Sequence, residues 1–132
     1  MRTLLRHRLK HTLLAFCAAA LFTGCGQKHD AEQLIGDFLD SNLKDNAISG
    51  KQFSDLDSTL YVSDSMMNVM RDAAVHSGIY KERIKYASRP SQKLLFMDVS
   101  YSDASGKRMK QTFYLDENIT GVVAVKQTAE HE

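Results

Sequence analysis

The sequence predicts an α+β domain in which two amino-terminal helices pack on a four-stranded antiparallel sheet. Hydrophobic residues recur with a helical period up to Gly78 and with a period of two after it. The length of 132 residues suits one domain. A composition of 43% hydrophobic and 25% charged residues is that of an ordinary globular chain. Helical segments followed by strands fit an arrangement in which the helices cover one face of a sheet.

Charge is distributed unevenly along the chain. The first 24 residues hold four basic side chains and no acidic one: Arg2, Arg6, Arg8 and Lys10. Residues 25–132 therefore carry 13 basic against 16 acidic residues. Because phosphate recognition needs concentrated positive charge, this balance argues against a nucleic-acid partner.

The first 24 residues have the three parts of a cleaved export signal. A basic stretch runs to His11, an apolar run covers residues 13–22, and Thr23 and Gly24 are small. A helix that spans a bilayer needs about 20 apolar residues, which is roughly twice the length of this run. The pattern therefore predicts a signal peptide over residues 1–24 and not a membrane-spanning helix.

Residues 22–25, with the letters FTGC, resemble the lipobox of bacterial lipoproteins, although Phe22 stands where that family most often has Leu. The resemblance implies cleavage before Cys25 and lipidation of this cysteine with diacylglycerol and palmitate. Cys17 would leave with the signal, so Cys25 would be the one cysteine of the mature chain. Gly26 is not the Asp that retains lipoproteins in the inner membrane, so the resemblance implies an outer-membrane location in the bacterial cell envelope.

The mature chain is predicted to have three parts. Residues 25–29 form the lipidated cysteine and a polar tether, residues 30–127 form the domain, and residues 128–132 form a frayed tail. Five extended residues span at most about 16 Å. The domain is therefore expected close to the membrane surface.

Two helices open the predicted domain. Asp30 and Gln33 have the spacing of a capping box, so the first helix is predicted over residues 31–45. Residues 46–62 are less regular. The second helix starts at residue 63 or 64 and stops at Gly78, because the left-handed position after a helix favours glycine.

Four strands are predicted after Gly78, over residues 79–87, 94–101, 108–115 and 119–126. Their alternation places one set of side chains on the face that packs against the helices. This set is Tyr80, Ile84, Tyr86, Leu95, Met97, Val99, Tyr101, Met109, Phe113, Leu115, Val123 and Val125.

The element order and the closing segment 97–127 resemble the cystatin-like and nuclear transport factor 2-like folds, in particular small lipoproteins of gut Bacteroidetes built on them. The resemblance covers about 100 residues and implies a roll of helices on a curved sheet. The inhibitory signature Gln-x-Val-x-Gly of cystatins is missing, so no functional residue is carried over.

Strand parity predicts a pocket between the helices and the sheet. Glu82 and Gln111 fall on the apolar side together with Tyr80, Tyr86 and Tyr101. A carboxylate enclosed there would be desolvated and its pKa raised, as in the base of a ketosteroid isomerase. The alternative is that Glu82 lies at a sheet edge and reaches water.

The opposite parity predicts a basic face. Lys81, Arg83 and Lys85 alternate along one predicted strand, and Arg108 and Lys110 join them from another. Such a face could bind anionic lipid headgroups or an acidic sugar. The alternative is a solvated sheet face with weak ion pairs across the strands.

Other motifs give weaker signals. Residues 55–59 (DLDST) resemble the first motif of haloacid dehalogenase phosphatases, but no hydrophobic strand precedes them, so a turn is predicted. Asp57-Ser58-Thr59 and Asp64-Ser65-Met66 resemble the O-glycosylation acceptor of Bacteroidetes, and their modification stays open. The histidines share no ligand spacing with one another or with a cysteine, so no metal or cofactor is predicted.

These observations predict a membrane-anchored envelope lipoprotein with a non-catalytic domain. Its partners would be the membrane, through the lipid anchor, and a small ligand, another envelope protein or anionic headgroups. The alternative is a small enzyme of the ketosteroid isomerase type that uses Glu82 as its base.

Overall fold

The computed structural model describes residues 26–128, so the predicted signal, Cys25 and residues 129–132 lie outside the described part of the chain. Two helices pack on a five-stranded antiparallel sheet that does not close. The elements are α1 (residues 26–42), β1 (Ser49–Phe53), β2 (Asp57–Thr59), α2 (Asp64–His76), β3 (Leu94–Ser102), β4 (Arg108–Asp116) and β5 (Val122–Thr128). The predicted α+β class is confirmed.

Helix α1 corrects the predicted tether. Residues 26–30 are already helical, so Asp30 lies inside the helix and does not cap it. Ala31 is fully buried and Lys28 forms an ion pair with Asp55 at 3.2 Å, and these two contacts hold the first turns against the domain. No polar linker therefore separates residue 26 from the fold.

Helix α2 confirms the sequence prediction at both ends. Ser63 is the N-cap, and its Oγ accepts a hydrogen bond from the backbone N–H of Met66. The helix ends at His76, and Gly78 follows with a φ of 77°, a backbone conformation that favours glycine. Met67 and Ala74 are its buried residues.

Strands β1 and β2 lie in the segment predicted to be irregular. Both pair with the same edge of β3, where Phe53 lies opposite Val99 and Asp57 lies opposite Phe96. The two strands therefore follow one another along one edge, and the sheet has five strands in four positions. Their short, mostly exposed sequences lack the alternation by which a strand is predicted.

Residues 79–87 do not form the predicted strand. The segment makes one isolated bridge, between Tyr80 and Leu43, which two backbone hydrogen bonds to the end of α1 flank, and one further backbone hydrogen bond from Ala87 to Val122 at 2.8 Å. The free edge of β3 is occupied by β1 and β2, so no long partner is left for this segment there. Tyr80 is nevertheless buried, because the apolar residues of the segment still pack against the core.

The core lies between α1 and the inner face of β3, β4 and β5. Ile35, Phe38 and Leu39 of α1 pack in one cluster with sheet residues such as Met97 and Phe113. Eleven of the twelve residues predicted for this face belong to the cluster or pack against it.

Val123 is the exception to the predicted inner face. The register between β4 and β5 shifts between Tyr114, opposite Ala124, and Leu115, opposite Val122. This bulge gives β5 one extra residue, so Val123 joins a second, smaller cluster with Met67 and not the main core.

A buried carboxylate holds the turn between β4 and β5. Asp116 is 3% exposed, and its Oδ1 accepts hydrogen bonds from the backbone N–H groups of Thr120 at 2.7 Å and Gly121 at 3.0 Å. The Thr120 hydroxyl donates to the other carboxylate oxygen. Burial by itself raises the pKa of Asp116, but these hydrogen bonds outweigh burial and leave the pKa below its ordinary value.

We therefore expect stability to depend on Asp116 below neutral pH. A carboxyl whose pKa is lower in the folded than in the unfolded state stabilises the fold above its unfolded pKa of about 3.9 and loses this effect as the pH falls through the folded pKa. Asp116→Asn should lower the free energy of unfolding at neutral pH by about 2 kcal/mol. Its unfolding free energy should also change less than that of the wild type between pH values of about 6 and 3.

Chemical denaturation at several pH values measures this effect. The matched control is Glu117→Gln, which removes a charge from the exposed next residue and should leave the unfolding free energy nearly unchanged. Equal pH dependence in the wild type and Asp116→Asn would contradict the role given to this carboxylate.

Candidate functional site

An open cleft of about 320 Å³ lies where α1 and α2 end and where β3 turns into β4. Its apolar wall consists of Leu43, Ile48, Ile79, Tyr101 and Met109. Its polar rim consists of Lys44, Asp45, Asp103 and Ser105, with Gly78 and Ala104 completing the lining. A concave, mainly apolar site with a few polar groups is the usual form of a small-molecule site.

Backbone hydrogen bonds hold the helical side of the cleft. The chain turns at Gly78 after α2, and the carbonyl of Ile79 then accepts a hydrogen bond from the N–H of Lys44 at 2.9 Å. The N–H of Lys81 donates to the carbonyl of Asn42 at 2.8 Å. These two bonds flank the bridge between Leu43 and Tyr80, so the end of α1 is joined to the segment that follows α2.

The β3–β4 turn forms the other side of the cleft. Oδ1 of Asp103 accepts hydrogen bonds from the Ser105 hydroxyl at 2.6 Å and from the N–H groups of Ser105 and Lys107 at 3.0 and 2.9 Å. The Ser105 hydroxyl is the main cause that lowers the pKa of Asp103. This carboxylate is thus charged at neutral pH and engaged in fixing its own turn.

A polar cluster of Tyr80, Tyr101 and Gln111 lies in the core beside the cleft. Oε1 of Gln111 accepts hydrogen bonds from the hydroxyls of Tyr80 at 2.9 Å and Tyr101 at 3.1 Å. All three side chains are buried, and Gln111 is 0% exposed. Burial raises the pKa of Tyr101 to about 12 and that of Tyr80 further, so both hydroxyls stay protonated and act as donors.

The amide nitrogen of Gln111 has no acceptor for its two N–H groups among residues 26–128. This atom, Nε2, is buried. Buried N–H groups without a partner are rare, because each loses its bonds to water without replacement. Tyr101 lines the cleft and also bonds Gln111, so this cluster forms part of the wall behind the cleft.

Tyr86 belongs to the same core but lies apart from the cluster. The ring of Phe38 contacts both Tyr80 and Tyr86, with centroid distances of 6.0 and 6.1 Å. The Arg71 guanidinium lies 4.9 Å from the centroid of the Tyr86 ring. The Tyr86 hydroxyl is buried without a partner within the described part of the chain.

The structure corrects the prediction for Glu82. Lys81, Glu82 and Arg83 are three consecutive exposed residues, so the strand parity that placed Glu82 inside does not hold in this irregular segment. Glu82 lines neither the cleft nor the cluster. Of the five residues predicted for the pocket, Tyr101 lines the cleft, whereas Tyr80 and Gln111 are hydrogen-bonded in the core behind it. Tyr86 and Glu82 do not line the cleft.

The predicted basic face is also not one surface. Lys81 lies at the end of α1, where its Nζ donates to the carbonyl of Ser41 at 3.0 Å. Arg108 and Lys110 alternate with the buried Gln111 along β4 and so lie on the opposite face of the sheet. Arg83 and Lys85 are exposed in the irregular segment. The sheet therefore separates the two groups of cations.

The remaining motifs have structural roles or stay open. Asp55 pairs with Lys28, and Oδ1 of Asp57 accepts a hydrogen bond from the N–H of Ser58 at 2.7 Å. Ser58 and Ser65, in the two glycosylation-like triplets, are both exposed.

Within residues 26–128, no three His, Cys, Asp or Glu side chains are grouped so that they could hold a metal ion. No helix in that range has the length and apolar character needed to cross a membrane.

Comparisons with known proteins add no relative to this description. No protein-family model, no curated protein and no solved structure matches the chain. The class that the fold and the site define is an α+β domain with one mainly apolar cleft backed by a buried polar cluster.

Proposed function

We propose that this chain is a lipid-anchored protein of the bacterial envelope whose domain binds a small, mainly apolar molecule without catalysing a reaction on it. The observation that carries the binding role is the cleft, with its apolar wall and the unmet Gln111 donor behind it. A small molecule with a mainly apolar body fits this lining.

The absence of a carboxylate from the polar cluster supports a binding role over the enzyme of the ketosteroid isomerase type. Glu82 is exposed, and the carboxylate of Asp103 is already engaged by three hydrogen bonds. The two buried tyrosines have raised pKa values, so neither acts as a base near neutral pH.

The location rests on residues 22–25, which resemble a lipobox, and on the basic and apolar stretches that precede them. The outer membrane is the proposed destination, because Gly26 follows the cysteine. A cystatin-like or nuclear transport factor 2-like roll is part of this proposal and is supported by two helices that pack on a bulged antiparallel sheet, although β1 and β2 lie between the helices in the chain. Another envelope protein is the alternative partner for the same domain.

Binding of an uncharged apolar probe tests the role of the cleft. The mature chain with Cys25→Ser is titrated with N-phenylnaphthylamine, and binding is followed by the fluorescence of the probe itself. Ala104→Trp places a large ring at the mouth of the cleft, and we expect it to weaken binding about tenfold, or about 1.4 kcal/mol.

Glu82→Gln is the matched control for this titration. It changes an exposed residue that does not line the cleft, so the affinity for the probe should not change. Circular dichroism checks that Ala104→Trp and Glu82→Gln are folded. Equal affinity of the wild type and a folded Ala104→Trp for the probe would contradict the proposed site. Weaker binding by Glu82→Gln alone would contradict the placement of Glu82 outside the binding site.

A further inference from the structure

The domain has two distinct ends. Helix α1 starts near Asp55, which pairs with Lys28, and ends at Asn42, next to Leu43 in the cleft. Strands β1 and β2 run in the opposite sense to β3, from Ser49 beside the cleft end to Thr59 opposite Leu94. The start of α1 and the end of β2 therefore lie at the end of the domain away from the cleft, which we call the anchor end.

Exposed apolar side chains are concentrated at the anchor end. Leu60 and Tyr61 directly follow β2 and are 62% and 90% exposed. Met66 and Val69, in the first two turns of α2, are 50% and 68% exposed. A group of exposed apolar side chains at one end of a domain is a feature of surfaces that contact a partner or a membrane.

The covalent chain identifies the occupant of this surface. Gly26 precedes Lys28 by two helical residues, which is about 3 Å along the axis. Cys25 is bonded to Gly26, so their Cα atoms are about 3.8 Å apart. Leu60 follows Asp55 by five positions in the chain, which span at most about 17 Å. A lipid on Cys25 would therefore enter the bilayer at the same end of the domain as Leu60 and Tyr61.

Helix α1 also restricts the orientation of the domain. Residues 26–29 are helical and lead directly into the fully buried Ala31, so the described part of the chain has no polar linker between the domain and its anchor. A leucine and a tyrosine at this distance from the anchor suit the membrane–water interface, where the tyrosine ring lies at headgroup level.

The charged side chains around Leu60 and Tyr61 have both signs. Lys93 lies beside Leu60 and Tyr61, whereas Asp57 and Asp64 are exposed on either side of them in the chain. Membrane binding through an apolar contact without a net cationic patch should depend little on salt concentration. Headgroup binding by a basic face would instead weaken as the salt concentration rises.

From these observations, we infer that Leu60 and Tyr61 insert into the surface of the bilayer that holds the lipidated Cys25, with the cleft directed away from the membrane. This inference rests on the proposed function, because it needs the lipid anchor. It adds the membrane-contacting residues and the orientation of the cleft, which would receive ligands from the aqueous side.

Tryptophan scanning tests the inference, since the chain contains no Trp. Full-length protein is lipidated in bacteria, purified and reconstituted in phosphatidylcholine vesicles with and without bromine on the acyl chains. Tyr61→Trp should show a blue-shifted emission and at least twofold quenching by the brominated lipid. Ala47→Trp, at an exposed position between Asp45 and Ile48 of the cleft end, should emit as in water and stay unquenched.

Flotation of the same vesicles tests the lipid anchor separately from the orientation of the domain. Protein that floats with the vesicles, with Tyr61→Trp quenched and Ala47→Trp unquenched in low and high salt, supports the inference. Protein that floats with Tyr61→Trp unquenched, or with both variants quenched alike, overturns the orientation and leaves the anchor intact. Protein that does not float overturns the anchor and the inference with it.

Discussion

Replacing Gln111 with Met is expected to lower the free energy of unfolding by about 3 kcal/mol. Met keeps the unbranched shape and approximate volume of Gln, so the change removes the amide without opening a cavity. The hydroxyls of Tyr80 and Tyr101 then stay buried without their shared acceptor. A buried hydroxyl that loses its partner costs about 1–3 kcal/mol, which is the origin of the expected magnitude.

Urea denaturation followed by circular dichroism measures this loss. Gln127→Met is the matched control, because Gln127 lies opposite Gln111 in the sheet but is exposed. It should change the unfolding free energy by no more than about 0.5 kcal/mol.

A triple variant separates the hydrogen bonds from the packing of the cluster. Tyr80→Phe and Tyr101→Phe added to Gln111→Met remove both donors together with the acceptor. When both partners of a buried hydrogen bond become apolar, the net change is small, so the triple variant should regain most of the lost stability. A triple variant no more stable than Gln111→Met would show that the hydrogen bonds are not the cause.

Replacing Cys25 with Ser is expected to move nearly all of the protein from the membrane to the soluble fraction. A serine hydroxyl cannot take the place of the thiol in lipid attachment, and two or three acyl chains are the source of durable anchoring. The apolar run at residues 13–22 is too short to span a bilayer in their place. Cell fractionation followed by immunoblotting measures the distribution.

Cys17→Ser is the matched control for this experiment. Cys17 lies in the predicted signal, so its replacement should leave the mature protein in the membrane. Incorporation of labelled fatty acid into the Cys25→Ser protein would contradict the assignment of the lipid to Cys25.

Local signals in the sequence were sufficient for much of the fold. The cap at Ser63 and the glycine at position 78 bound α2, and alternating residues define β3 and β4. Residues 79–87 also alternate, but a strand needs a free partner edge, and β1 and β2 fill that edge of β3. Pairing of this kind is decided far along the chain, so the local pattern predicted the burial of Tyr80 correctly but was wrong for Glu82 and for the hydrogen bonding of the segment.

The sequence was sufficient to predict the polar cluster of the candidate site but not the exposure of Glu82 or the position of the cleft. Gln111 and Tyr101 lie on regular strands, where parity holds, and Tyr80 is fixed by its bridge to Leu43. Glu82 lies in an irregular segment, where parity has no meaning. The cleft had no sequence signal, because its wall joins the ends of two helices to the β3–β4 turn.

The amino terminus of the protein isolated from its native membrane tests the central claim most directly. Mass spectrometry of the amino-terminal peptide should show a chain that begins at Cys25 and carries a diacylglyceryl group on sulfur, with or without a further acyl chain on the amine. A peptide that begins elsewhere, or a Cys25 with neither modification, would contradict the account of a domain held at the bilayer by this residue.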